Sequence, residues 1–205
     1  SPERALDLPI THLSAYSLQI EPQTIFYNLK NRGELQLPSD DTEADMYEYL
    51  IETMEKHGFY QYEISNFAKP GFESKHNLTY WNNEQYYGIG AGAHSYVNEV
   101  RYANIKPIKK YMSRVFEEGF PYIEENKLSK KEQMEEELIM GLRKMDGVSK
   151  SLFCKKYGDS LMNVFGSEVD LLISKGLLQD NGEYLSLTKR GLFLGNEVFQ
   201  SFLSV

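Results

Sequence analysis

The stretch "SKHNLTYWNNEQYYGIGAGAHS", residues 74–95, gathers side chains able to receive a flat, metal-bearing ligand. His76 offers an imidazole, a common ligand of haem iron. Tyr80 and Trp81 could stack on or edge a macrocycle, and Asn77 could hold the backbone turn or meet a carboxylate. The same residues admit a plainer account: a loop histidine held by a carbonyl, with Trp81 in the core. A lone histidine predicts a metal poorly. The "GIGAG" run at 88–92 also reads two ways. Its glycines let either another backbone or a ligand come close to a strand, and both uses rest on the missing side chain. It is not the dinucleotide fingerprint, which needs G-x-G-x-x-G between strand and helix. His94 follows the glycines at a strand end.

Other candidates are thinner. Glu73 and His76 have the spacing to share a divalent metal on a helix, but Pro70-Gly71 argues for a loop and the tetrahedral set is incomplete. His12 opens a strand and reads as a sheet hydrogen-bonder. His57 precedes Gly58 and reads as a cation near a helix C-terminus. The sequence contains no G-x-S-x-G nucleophile elbow, no P-loop and no paired-carboxylate signature, so no residue is assigned a catalytic role.

The elements that must position these residues follow from periodicity. "ITHLSAYSLQI" (10–20) alternates apolar and polar residues as a strand does, and Pro22 breaks it. A helix is expected at about 40–57, with Asp40 and Glu43 as a capping box, a buried stripe of Met46, Tyr49, Leu50 and Met54, and Gly58 at its stop. "FYQYEISNF" (59–67) reads as one strand, "AKPGFES" as a loop, and "YYGIGAGAHSYV" (86–97) as a third short strand. Residues 105–126 read as helical and linking. From about 128 the texture turns helical. Ser129 and Glu132 form a capping box, two short helices follow, and Asn181-Gly182 marks a hairpin before a closing helix. Helix, helix, helix, hairpin, helix is a winged-helix-like order. The expected architecture is therefore α/β over 1–105 and mostly helical over 106–205.

Composition narrows the function. The chain has 205 residues and a net charge of −8, room for one large domain or two small ones. Residues 1–105 carry 7 basic and 15 acidic side chains, and residues 106–205 carry 15 of each. Neither half has the basic excess of a phosphate-binding surface, so nucleic acid is not expected, although Lys150, Lys155 and Lys156 cluster in the tail. The single cysteine, Cys154, excludes an internal disulfide framework and fits a reducing cytosol. It also excludes an iron–sulfur cluster held by three or four of this chain's own thiolates. No apolar run approaches a membrane span, and no signal peptide is visible. The start at Ser1 lacks methionine, and "SPERALDLP" reads like a helix end running into a strand, so we expect further residues to precede it in the intact protein.

Three motifs in order, "HLSAYSLQIEPQTIF", "YEISNFAKPGFESKHNLTYW" and "YYGIGAGAHSY", resemble the HemW-type radical-SAM haem chaperones, relatives of oxygen-independent coproporphyrinogen III oxidase. The resemblance continues through the helical tail. It implies the C-terminal part of a partial TIM-type barrel followed by that family's C-terminal domain. It also implies S-adenosylmethionine and a [4Fe–4S] cluster in the intact protein, with the cluster motif C-x-x-x-C-x-x-C absent from this chain. Alone, the chain should hold no cluster and perform no radical chemistry. The family's H-N-x-x-Y-W motif, associated with haem, matches His76, Asn77, Tyr80 and Trp81 and makes His76 the expected iron ligand. S-adenosylmethionine contacts carry over to Tyr16, Gln19 and, more weakly because the oxidase has an aliphatic residue there, to His94. The functional expectation is a cytoplasmic haem chaperone that passes haem or porphyrin to an acceptor protein. The alternative is the oxidase, which decarboxylates coproporphyrinogen III. Strand edges left by an incomplete barrel would allow a homodimer.

Overall fold

A computed structural model describes residues 2–203. It divides into two compact units, Ser1–Glu73 and Ser74–Val205. The expected boundary near residue 105 falls inside the second unit, where one sheet has strands on both sides of it.

The first unit contains α1 (Pro2–Leu6), β1 (His12–Ser14), α2 (Ile25–Asn31), α3 (Asp40–Lys56), β2 (Tyr60–Glu63) and β3 (Asn66–Ala68). The strands form an antiparallel sheet in the order β1-β3-β2. Helix α3 has the expected extent but a different cap: Ser39, one residue earlier, accepts from the Thr42 amide at 3.3 Å. A hydroxyl outside the first turn can reach back to orphan amides, whereas Asp40 is already inside it. The buried stripe also shifts. Met46 and Tyr49 are 61% and 54% exposed, while Leu50 and Ile51 pack on the core of Met54, Phe59 and Phe67. Positions 47, 50, 51 and 54 share one face at helical spacing, whereas 46 falls at its edge and 49 on the opposite side. The Tyr47 hydroxyl completes that face by donating to the Ile64 carbonyl at 2.6 Å.

The single strand expected over 59–67 is a tight hairpin. The buried Glu63 carboxylate accepts from the Ser65 amide at 3.2 Å and from the Asn66 side chain, which closes the turn without glycine or proline. Strand β1 is shorter than the alternation over 10–20 suggests, and residues 16–24 run on irregularly.

The second unit begins with α4 (Lys75–Trp81), β4 (His94–Val97), β5 (Val100–Asn104), α5 (Ile108–Glu118) and β6 (Tyr122–Lys127). An antiparallel sheet in the order β4-β5-β6 holds them together. Sequence reading missed β6, because Glu124, Glu125, Asn126 and Lys127 leave little apolar alternation to detect.

Then come α6 (Lys130–Gly141), β7 (Val148–Ser149), α7 (Lys150–Tyr157), α8 (Leu161–Ser174), β8 (Leu178–Asp180), β9 (Tyr184–Leu187), α9 (Lys189–Phe193) and α10 (Gly195–Gln200). The Ser129–Glu132 capping box forms as expected. So does the hairpin, with Gly182 at φ 98° and the Asn181 side chain accepting from the amides of Glu183 and Tyr184. Strand β7 adds a third strand to that wing, in the order β7-β9-β8. Leu138, Leu142, Phe153, Leu161, Val169, Leu172, Leu185 and Val198 are all buried in this region. The mixed α/β architecture of the chain is as expected.

Candidate functional site

Helix α4 carries the H-N-x-x-Y-W residues. The Ser74 hydroxyl caps it by accepting from the Asn77 amide at 3.3 Å. His76 therefore stands on a short helix, not in a loop. Spacing of four puts His76 above Tyr80 and Asn77 above Trp81, on adjacent stripes. The helix closes with the Glu84 amide on the Thr79 carbonyl at 3.0 Å and the Asn83 amide on the Tyr80 carbonyl at 2.9 Å. Asn83 takes the left-handed conformation that such an ending requires, at φ 47°.

The exposed His76 ring meets Tyr80 edge-on, with centroids 4.8 Å apart, and Tyr80 meets Tyr86 edge-on at 4.6 Å. Tyr86 is fixed at both ends. Its backbone bridges to Tyr96, and its hydroxyl accepts from Arg101 at 3.0 Å. Arg101 is gripped by the Glu136 carboxylate through two donors and lies 4.2 Å above the Tyr96 ring. Burial raises the pKa of the Tyr86 hydroxyl above the ordinary tyrosine value, so it stays protonated. The result is a row of rings ending in an exposed imidazole and anchored to α6 through one arginine.

On the neighbouring stripe Trp81 faces inward. The Arg143 guanidinium lies 5.3 Å from its ring centre and 4.7 Å from that of Phe199. The indole Nε1 is buried and has no hydrogen-bond partner.

The glycine run is a loop, not the heart of a strand: β4 starts only at His94. The reason lies in its closure. The Ser95 hydroxyl accepts from the Gly88 amide at 2.9 Å, and the Asn104 amide donates to the carbonyls of Gly88 and Gly90 at 3.1 and 2.8 Å. With those groups turned to side chains, the run makes no ladder of its own. At Gly88 a Cβ would fall 2.0 Å from the His94 carbonyl oxygen, so another backbone occupies its space. Gly90, at φ 111°, faces open space and supplies conformational freedom instead. The tip of the loop presents Tyr87 and Ile89 to solvent, Ile89 at 90% exposure. Neither Ser95 nor Asn104 was singled out from the sequence, and nothing in spacing alone points to them.

His94, exposed, opens β4 opposite Ala103. Tyr16 and Gln19 belong to the first unit, exposed on the irregular segment after β1. His12 shares a 2.9 Å hydrogen bond with the Tyr62 hydroxyl. His57 sits at the α3 C-terminus with Nδ1 2.8 Å from the Thr53 carbonyl, and Glu73 accepts from the Gly71 amide at 3.3 Å. Among the described residues no group of three or more His, Cys, Asp or Glu side chains could hold a metal, and no helix is long and apolar enough to cross a membrane. Cys154 is exposed. One thiolate does not fit a [4Fe–4S] cluster, which needs at least three from the protein.

Comparison with known proteins places this arrangement. The family model described as the HemN C-terminal domain matches residues 128–194, the segment of α6 to α9. A heme chaperone HemW from Bacillus subtilis is 52% identical over 199 residues, which cover 97% of this chain and 52% of that protein. The HemW of Lactococcus lactis is 46% identical, with 98% and 52% covered. The chain belongs to the HemW–HemN family. A solved structure of coproporphyrinogen III oxidase HemN from Escherichia coli, described as a radical-SAM enzyme, superposes with a TM-score of 0.74 over 98% of this chain and 49% of that one. At 18% identity that match establishes the HemN-type fold alone. The chain spans about half the length of the HemW relatives it matches.

Proposed function

We propose that this chain provides the haem-facing surface of a haem chaperone, with His76 as the iron ligand or anchor. The observation that carries this reading is the exposed His76 imidazole at the end of a braced row of rings, Tyr80 and Tyr86 behind it. A free, preoriented imidazole can meet iron without first breaking a packed core, and the edge of Tyr80 offers an apolar flank to a macrocycle. Asn77 and Trp81 belong to the same motif, and Trp81 braces the helix through its contact with Arg143. Haem is cargo in this reading, to be handed to an acceptor protein in the cytoplasm. S-adenosylmethionine and the cluster belong to the intact family protein, with Tyr16, Gln19 and His94 as this chain's contribution toward the former. Pairing of two copies along β1 or β2, the outer strands of the first sheet, is part of the same proposal. The HemW relatives favour this reading over the oxidase, whose support is the fold.

The test is haem titration followed by Soret absorbance. Saturable binding with a histidine-type spectrum is expected. His76→Ala should change the spectrum and weaken affinity by about tenfold or more, whereas His94→Ala should leave both unaltered. An unchanged spectrum and affinity for His76→Ala would remove the ligand role.

A further inference from the structure

Helix α4, which carries the H-N-x-x-Y-W residues, has only seven residues. A helix that short has little stability of its own, so tertiary ties decide its position. At its C-terminal end, cations reach it from three other places in the chain. Lys144, in the turn after α6, donates to the Asn82 side-chain oxygen at 2.7 Å. Arg101, on β5, donates to the Asn83 side-chain oxygen at 3.3 Å, and Lys156, on α7, to the Asn83 carbonyl at 3.3 Å. Each meets the negative end of the helix dipole. Two of them are braced in turn from α6, where Glu136 holds Arg101 and Glu137 holds Lys156.

Lys144 is partly buried, and burial lowers its pKa from the ordinary lysine value against the pull of Glu137, Asp146 and Glu84. A desolvated ammonium is costly, and a methionine of similar length would fill the space without that cost. Its neighbour Arg143 lies over the Trp81 ring. Two successive residues of the turn thus hold two successive residues at the end of α4, Arg143 on Trp81 and Lys144 on Asn82. The Asn82 amide is fixed at both ends, since its nitrogen donates to Glu84 at 3.1 Å. His76 stands in the first turn of the same helix, so an end held at Asn82 also fixes where the imidazole points.

We infer that Lys144 is a positioning residue for haem capture: by holding Asn82 it keeps α4 in the arrangement that presents His76. The segment matched by the HemN C-terminal domain model, which contains Lys144, thereby governs the grip of the motif on haem. The inference rests on the reading of His76 as iron ligand or anchor.

The test is a double-mutant cycle on the full chain, read by haem titration, with hydrogen exchange of the haem-free chain beside it. Lys144→Met removes the donor and the charge at similar length. Without its tie α4 samples other arrangements, and apparent affinity falls with the competent fraction. A loss of about tenfold is expected, the scale of one hydrogen bond from a charged group. The Soret spectrum at saturation should not change, because His76 is still present. Lys144→Arg keeps donor and charge and should bind better than Lys144→Met; an equal loss in both overturns the inference. Asn82→Ala removes the acceptor instead and should match Lys144→Met, which keeps the test open if that variant melts early. In a His76→Ala background, Lys144→Met should weaken binding little further. Additive losses, or parent-like affinity in both Lys144→Met and Asn82→Ala, overturn the inference. The amides of Asn82, Asn83 and Glu84 close α4, and they should lose exchange protection in Lys144→Met. If His76→Ala binds haem as its parent does, the ligand reading fails by itself and exchange decides alone. Lost protection then supports the hold of Lys144 on α4, and unchanged protection overturns it.

Discussion

Gly88 shows what a glycine count conceals. Three glycines alternate through residues 88–92, yet they do different jobs: Gly88 makes room for the His94 carbonyl, and Gly90 takes a backbone angle that side chains avoid. Gly88→Ala would drive a methyl group into backbone, which cannot swing aside as a side chain can. The loop would lift from β4, breaking the Gly88–Ser95 bond and straining the Asn104 bridge. Overpacking of this kind costs about 1–3 kcal/mol, and thermal denaturation of the variant should show a correspondingly lower midpoint. A variant as stable as its parent would mean that the close approach is absent. His76, Asn77, Tyr80 and Trp81 could be proposed from the sequence because they match the H-N-x-x-Y-W pattern that the resemblance supplies. The residues that hold the site could not. Arg101, Glu136, Ser95 and Asn104 reach it from other elements, and their partnerships exist only once β4 and β5 are paired and α6 is packed.

At the scale of elements, legibility follows how local the signal is. The α6 capping box and the Asn181-Gly182 hairpin each involve residues within one turn of the chain, and both formed as read. The α3 stripe held at Leu50 and Met54 and failed at Met46 and Tyr49, since only the packing against the core decides which of the apolar positions over 46–54 face inward. The β2–β3 turn escaped because a carboxylate closes it and no glycine or proline marks it, and β6 escaped because its side chains are mostly polar. The α6 cap can be tested directly. Ser129→Ala removes the acceptor of the Glu132 amide and weakens the return bond that the Glu132 carboxylate accepts from the residue 129 amide. Caps of this kind are worth about 1 kcal/mol, so urea unfolding of Ser129→Ala should show a loss of that order with an unchanged dependence on urea concentration. Because α6 also bears Glu136, which grips Arg101, the loss should extend to the Tyr86 end of the ring row. Weaker protection of the amides around Tyr86 in hydrogen exchange would report it.

For the whole molecule, charge connects sequence to stability. The net charge of −8 said which partners to exclude, but not which carboxylates support the fold. In the 74–205 unit the structure singles out three. Asp180 is held below the ordinary aspartate value first by its hydrogen bonds from Lys150. Glu183 is lowered by the hydroxyls of Ser151 and Ser149, and Glu132 by its capping bonds from Ser129. Each carboxylate is bound more favourably when ionised in the folded chain than in the unfolded one. Protons therefore bind the unfolded state first as the pH drops. The stabilisation is fully present above the ordinary carboxylate values of about 4 and is lost as the pH falls through the lower, folded values. Unfolding free energy should thus be flat with respect to these groups from neutral pH down to about pH 5 and decline below it. Asp180→Asn keeps the shape of the side chain but not its charge. It should lower stability at neutral pH and make the acid decline shallower, so that the two curves converge at low pH. Curves that stay parallel down to the acid limit would mean that the Lys150–Asp180 pair, at 2.7 Å, contributes nothing to the difference between folded and unfolded chains.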